Sequence, residues 1–158
     1  MPRTRFNSTK ALIATAIPFG AGTIGSLVTS PAIQTWYADL VKPAFNPPNW
    51  IFGPVWTLLY IFQAIAFYQI LTRSSPERSR AIWLFCLQAI ANAGWSIVFF
   101  GLHLPEVAVV EIIVLWGLIL ATIISFQRIS RLASLLLWPY LAWVTFATML
   151  TIAIARLN

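Results

Sequence analysis

Aromatic rings and carboxamides recur together at helical spacing in two parts of the sequence. Rings stack on flat organic molecules and amides hydrogen-bond to them, so the combination suits recognition of a planar ligand. Members three or four positions apart share one face of a helix. The two stripes comprise Phe52, Trp56, Tyr60, Gln63 and Phe67, and Gln88, Asn92, Trp95 and Phe99. A second interpretation is open at this point, in which the rings are ordinary core and the amides bond helix to helix.

Groups that usually perform catalysis are sparse. The sequence has one histidine, His103, in a predicted turn, and one cysteine, Cys86, in a predicted helix. These cannot form a His/Cys metal cluster or a Cys–His pair. A Ser-His-Asp triad would need Asp39 and His103 from two different loops, and no pattern supports it. We therefore predict no catalytic residues, no metal site and no required cofactor.

The segments that carry the stripes are predicted to cross a membrane. Of the 158 residues 59% are hydrophobic and 9% charged, with a mean hydropathy of +0.82. Five apolar stretches are long enough to span a hydrocarbon layer of roughly 30 Å: residues 11–29, 50–71, 81–102, 107–126 and 133–155. They lack the alternation of barrel strands, so helices must satisfy their backbone groups. The predicted fold is all-α, one five-helix transmembrane domain over residues 1–158.

Helix geometry places the deep aromatic residues at one level. At about 1.5 Å per residue, the deep positions fall in the half of the membrane nearest the connection of residues 30–49. They are Trp56, Asn92, Trp95, Trp143 and Ala147. Small residues accompany large ones, since Ala147 follows Trp143 by one turn and Gly94 lies near Asn92. This pairing predicts a flat apolar cavity walled by indoles.

A proline-rich connection leads into the second span. Residues 42–60 read KPAFNPPNWIFGPVWTLLY, and the pair Pro47 and Pro48 fixes φ and removes two backbone donors. We expect a stiff lid that needs no helix or sheet to hold it. Pro54 is expected to remove the hydrogen bond to the Trp50 carbonyl and to bend the second helix above Trp56.

Three strings resemble those of a known family. They are WYADLVKPAFNPPNWIFGPVWTLLY (36–60), QAIANAGWSIVFFG (88–101) and WPYLAWVTFATML (138–150). They closely resemble the translocator protein family, also called the tryptophan-rich sensory or peripheral benzodiazepine receptor family, and the likeness runs through all five spans in order. It implies a five-helix bundle, usually dimeric, that binds porphyrins such as protoporphyrin IX. Some members also bind cholesterol and synthetic benzodiazepine-type ligands.

The resemblance assigns site residues. The family's ligand-contacting tryptophans match Trp56 and Trp143, its helix-three amide and ring match Asn92 and Trp95, and its small helix-five residue matches Ala147. With neighbouring stripe members, the predicted ligand-binding set is Phe52, Trp56, Tyr60, Gln88, Asn92, Trp95, Trp143 and Ala147. The predicted lid residues are Trp36, Pro47, Pro48, Asn49 and Trp50.

One position departs from the family pattern. Cholesterol binding in animal members is tied to Leu or Val, then Tyr, then Arg or Lys at the end of helix five. Ile152 stands where the tyrosine would be, and no stretch of this chain satisfies the forward pattern. Porphyrin binding does not depend on that tyrosine.

The resulting prediction is a membrane protein that binds a tetrapyrrole and acts in porphyrin sensing, sequestration or transport. Transport of other small apolar or sterol-like molecules is one alternative. Light-dependent porphyrin breakdown is another, which would use the indoles of Trp56 and Trp143. Glu111, an acid within a span, is either a relay group or a side chain that snorkels to the membrane surface.

The predicted partners are a porphyrin or another planar apolar ligand, the lipid bilayer and a second copy of the chain. Small residues in the first and third helices, among them Gly25 and Ala93, suggest close helix packing there. The homodimer is predicted to form through one of these helices.

The distribution of basic residues predicts the orientation. Eight lie on one side of the five spans, Arg3, Arg5, Lys10, Arg73, Arg78, Arg80, Arg128 and Arg131, against Lys42 and Arg156 on the other. Membrane orientation thus accounts for most of the net charge of +6, and we predict no nucleic-acid partner. By the positive-inside rule the amino terminus is cytoplasmic and the carboxyl terminus is not. Reporter fusions at the two ends should differ in cytoplasmic activity, and equal activity would contradict five spans.

Overall fold

The computed structural model describes residues 6–158. Its helices are α1 (Ser8–Gln34), α2 (Trp36–Asp39), α3 (Phe52–Thr72), α4 (Arg78–Ser96), α5 (Pro105–Gln127) and α6 (Arg131–Leu157). A 3₁₀ turn, Asn49–Ile51, leads into α3, and a π-helical turn, Ile97–Gly101, continues α4. In this part of the chain five helices, all but α2, are long and apolar enough to cross a membrane. The all-α five-helix prediction is confirmed.

The five long helices pack as a closed ring. Each touches its two neighbours in the order α1, α3, α6, α5, α4 and back to α1. The helices α3 and α4 also touch across the ring. Helix α2 lies where α1 ends and α3 begins, and we call this end of the bundle the α2 end.

The first helix is longer than the sequence predicts. The expected break after residue 29 is wrong, because α1 continues through Pro31 to Gln34. Proline lacks an N–H, so Pro31 leaves the Leu27 carbonyl without its usual helical donor, which membrane helices tolerate. One turn later the Thr35 hydroxyl donates to the Pro31 carbonyl at 3.0 Å. The connection between α1 and α3 is therefore residues 35–48. It contains α2.

Pro54 does not interrupt an established helix. It is the third residue of α3, so its missing N–H falls in the first turn. Helical N–H groups in that turn have no acceptor within the helix, and a proline there costs little. The bend above Trp56 stays a prediction.

The end of the bundle opposite α2 is filled by stacked rings. Phe67 of α3 stacks on Phe85 of α4 with centroids 4.1 Å apart, and Phe85 stacks on Phe126 of α5 at 5.9 Å. All three side chains are buried. The layer joins three helices and closes this half of the ring.

Small residues let α1 approach its neighbours. A Cβ added at Gly22 would collide with the Tyr60 ring of α3, and one at Gly25 would lie 2.9 Å from the Ser96 Oγ of α4. Ala93 is buried in a cluster with Ala21 of α1. Gly25 and Ala93 therefore contribute to packing within one chain. The homodimer itself stays a prediction.

The contact between Gly22 and Tyr60 yields a test with a matched control. Gly22→Ala should lower the free energy of unfolding by about 1 to 3 kcal/mol, because the ring has to move out of a packed position. Gly20→Ala, two residues away, has nothing within 4 Å of its new methyl group and should be neutral or stabilising. Thermal unfolding in one detergent measures both. Equal unfolding temperatures for the two variants would mean that α1 and α3 do not meet at Gly22.

Candidate ligand cavity

A cavity of about 360 Å³ lies at the α2 end, among α1, α3, α4 and α6. Its volume falls within the range of small-molecule sites. Lining side chains include Phe52, Trp56 and Tyr60 from α3, Trp95, Phe99 and Phe100 from α4 and its π-helical turn, and Trp143, Ala147, Leu150 and Thr151 from α6. Nine of the 24 lining residues are aromatic.

Six of the eight predicted ligand-binding residues line this cavity. They are Phe52, Trp56, Tyr60, Trp95, Trp143 and Ala147. Their rings also pack on one another. Trp56 stacks on Tyr60 at 5.6 Å, and Phe52 meets Trp143 edge-on at 6.0 Å. Such contacts hold the rings in fixed orientations before a ligand arrives.

The other two predicted residues, Gln88 and Asn92, are not part of the lining. Both are buried, and both bond to α3. The Tyr60 hydroxyl donates to Asn92 Oδ1 at 3.2 Å, and Gln88 Nε2 donates to Gln63 Oε1 at 3.2 Å. The interhelical interpretation of the amides therefore describes them, and Asn92 supports the cavity through the Tyr60 side chain.

Two cavity-lining tryptophans carry unsatisfied donors. The Nε1 atoms of Trp95 and Trp143 are buried and have no hydrogen-bond partner within residues 6–158. A buried N–H without an acceptor is costly in an apolar environment. Because both atoms are covered by the protein itself, they are a cost within the wall and are not contacts offered to the cavity.

Sequence reasoning missed the contribution of α1. This helix supplies Phe19, Gly22, Thr23, Ser26, Thr29, Ser30 and Ile33 to the lining. The spacing of Gly22, Ser26 and Ser30 was a usable signal, but small residues at such spacing also indicate helix packing. Gly22 has both roles, because it packs against Tyr60 of α3 and also lines the cavity.

Of the predicted lid residues, Asn49 alone lines the cavity. Trp50 is 73% exposed. Trp36 packs behind the wall, with its ring 5.5 Å from Phe99 and stacked on His103 at 4.4 Å. His103 adopts a positive φ of 57°, which turns the chain sharply between α4 and α5. Pro47 and Pro48 lie in the 35–48 connection beside these residues.

Tyr37 of α2 is a lining residue that the sequence did not indicate. It is buried, and its hydroxyl donates to Asn46 Oδ1 at 2.8 Å. Burial raises the pKa of Tyr37 to about 12, while the hydrogen bond to Asn46 acts in the opposite direction. The side chain is thus a neutral donor at physiological pH, and it ties α2 to the rest of the connection.

Glu111 does not belong to the cavity. Its Oε1 lies 3.2 Å from the position of a Cβ added at Gly94, between α5 and α4. Its Oε2 is buried, with no hydrogen-bond partner in the described part of the chain. The carboxyl therefore turns toward α4, so the snorkelling alternative does not describe it.

No group of three or more metal-ligating side chains occurs among the residues that the structure describes. Cys86 is a half-buried free thiol, and the His103 ring stacks on Trp36.

The fold defines a multi-pass membrane protein with a cavity lined in part by aromatic side chains, and sequence comparison places it in a family. The TspO/MBR family model matches residues 14–157, so the chain belongs to the TspO/MBR family. It is 42% identical over 139 residues to the tryptophan-rich protein TspO of Chlorobaculum tepidum, covering 87% of this chain and 88% of that one. The tryptophan-rich protein TspO of Archaeoglobus fulgidus is 45% identical over 137 residues, 87% of this chain and 89% of the relative. The human translocator protein is 35% identical over 126 residues, which cover 78% of this chain and 75% of the relative.

Proposed function

We propose that this protein binds a planar tetrapyrrole, such as protoporphyrin IX, in the cavity at the α2 end. The observation that carries the proposal is the set of aromatic side chains that line the cavity. The flat faces of Trp56 and Trp143 suit a conjugated macrocycle.

Energetics favour a ligand that lies with its ring in the cavity and its carboxylates at the α2 end. A macrocycle gains free energy when its apolar surface leaves water. Its propionates would lose far more if they were carried to the bilayer centre. The cavity suits this division because it lies at one end of the bundle, and Asn49 and Tyr37 add polar atoms to its lining there.

The packed half of the bundle favours capture over passage. Beneath the cavity lie the Tyr60–Asn92 and Gln63–Gln88 hydrogen bonds, and then the stacked rings of Phe67, Phe85 and Phe126. A molecule crossing the membrane through the ring would have to displace all of these layers. Binding for sensing or sequestration therefore fits this arrangement better than transport along the bundle axis.

Two further expectations accompany the proposal. The protein acts in a lipid bilayer with its amino terminus in the cytoplasm, and it forms a homodimer. Because Gly25 and Ala93 are used within the chain, we expect the dimer to form through lipid-facing side chains.

Substitution of one cavity-lining and one exposed tryptophan tests the binding site. Trp143→Ala should weaken protoporphyrin IX binding by about 1 to 3 kcal/mol, because it removes a ring from the cavity wall. Trp83→Ala is the control, since Trp83 is 68% exposed on α4 and is no part of the lining. Porphyrin absorbance titrations in detergent measure both affinities without relying on tryptophan fluorescence. Unchanged affinity in Trp143→Ala together with lost binding in Trp83→Ala would place the site on the outside of the bundle.

A further inference from the structure

The lining residues of the cavity differ in exposure from one side to the other. Those from α6 are largely buried, with Leu150 at 6%, Thr151 at 2% and Ile154 at 1%. Phe99, next to α4, is also buried. The exposed lining residues come from α1 and from the start of α3. They are Thr23, Ser26, Ser30, Asn49, Gly53 and Thr57.

These exposed residues form two facing edges. Thr23, Ser26 and Ser30 follow one another at intervals of three and four residues, so they form a line along α1. Gly53 and Thr57 are one turn apart and form a second line on α3. The helices meet below these lines, where Gly22 contacts the Tyr60 ring. From that contact to the α2 end they border a lateral opening, which we call the α1–α3 slot.

The slot edges continue into surfaces that face lipid. On α1 the exposed residues Ile24 and Leu27 adjoin the edge, and on α3 the exposed residues Leu58 and Ile61 do so. Exposed aliphatic side chains on a spanning helix contact the hydrocarbon of the bilayer. The slot therefore connects the cavity with the membrane interior.

The slot edges are small and have few free polar groups. The Thr23 hydroxyl donates to the Phe19 carbonyl at 2.8 Å, and the Thr57 hydroxyl donates to the Gly53 carbonyl at 2.9 Å. Ser26 and Ser30 lie with their hydroxyl oxygens 3.4 Å apart. Hydroxyls bonded within their own helix expose mainly carbon, so an apolar molecule can slide past them without breaking a hydrogen bond between helices.

Hydrogen bonds within the connection above the cavity hold its shape. Near its start, Tyr37 bonds to Asn46 at 2.8 Å, and Lys42 Nζ donates to the carbonyls of Ala38 and Leu40 at 3.0 and 3.1 Å.

The same connection is also tied to α6. The Asn158 side chain accepts from the Val41 N–H at 2.9 Å and donates to the Val41 carbonyl at 3.0 Å. Access from water through residues 35–48 would require these bonds to break, whereas access through the slot would not.

We propose that the ligand enters and leaves the cavity sideways from the lipid, through the α1–α3 slot, while the 35–48 connection stays closed. The ligand class is a planar apolar molecule already dissolved in the bilayer, with protoporphyrin IX as the probe. This inference rests on the proposed function, because it assigns a route to that ligand.

Chemical crosslinks across the α1–α3 slot and across the 35–48 connection distinguish the two entry routes. In a Cys86→Ala background, Ser26→Cys with Thr57→Cys places thiols on the two slot edges, and Val41→Cys with Asn158→Cys places them across the connection and α6. Each double variant is folded first and then bridged with a bifunctional maleimide, so the unbridged protein is its own control. The proteins are reconstituted into phosphatidylcholine vesicles, and stopped-flow fluorescence follows the association of protoporphyrin IX supplied in the lipid.

Bridging the slot should slow association by about tenfold or more, because it obstructs the route itself. Bridging Val41→Cys to Asn158→Cys should leave the rate unchanged. Three results would overturn the proposal. They are slower association with the Val41–Asn158 bridge alone, equally slow association with either bridge, and an unchanged rate with both. Failure of the unbridged proteins to bind protoporphyrin IX would instead contradict the proposed function.

Discussion

The side chain of Tyr60 joins three helices at the floor of the cavity, and the architecture around it depends on that junction. Its ring fills the space left by Gly22 on α1, and its hydroxyl donates to Asn92 on α4 at 3.2 Å. Above it, Trp56 stacks on the same ring. A polar group in the membrane interior needs a partner, so the hydrogen bond fixes the height at which α3 and α4 meet. The absent side chain at residue 22 fixes how closely α1 approaches.

This junction divides the bundle into two halves with different physical character. On one side of it the ring of helices is filled by the stacked Phe67, Phe85 and Phe126. On the other side the helices enclose about 360 Å³ among aromatic walls. A cavity that is closed at the bottom and lined by packed rings suits the capture of a flat molecule that we propose. Sensing and sequestration need only such capture, which is why we favour them for this member of the TspO/MBR family.

The sequence predicted the helices and most of the aromatic wall because both follow directly from periodicity. Apolar length alone identifies a spanning helix, and residues four apart, such as Phe52, Trp56 and Tyr60, have to share a face. The roles of Gln88 and Asn92 were harder to predict, since a buried amide can contact a ligand or hydrogen-bond to another helix equally well. Only the three-dimensional pairing of Gln88 with Gln63 decides between these roles. The end of the first helix was misplaced because a proline such as Pro31 can lie inside a helix or after it, and the sequence does not mark the difference sharply.

The most direct measurement of the central claim is protoporphyrin IX binding to a protein whose cavity has been filled. Ala147 lines the cavity and is 8% exposed, while Ala142, on the same helix, is exposed. An absorbance titration should show that Ala147→Trp abolishes binding and that Ala142→Trp binds as the unmodified protein does, with similar unfolding temperatures for both. Binding by a folded Ala147→Trp protein with unchanged affinity would contradict the assignment of the ligand to this cavity.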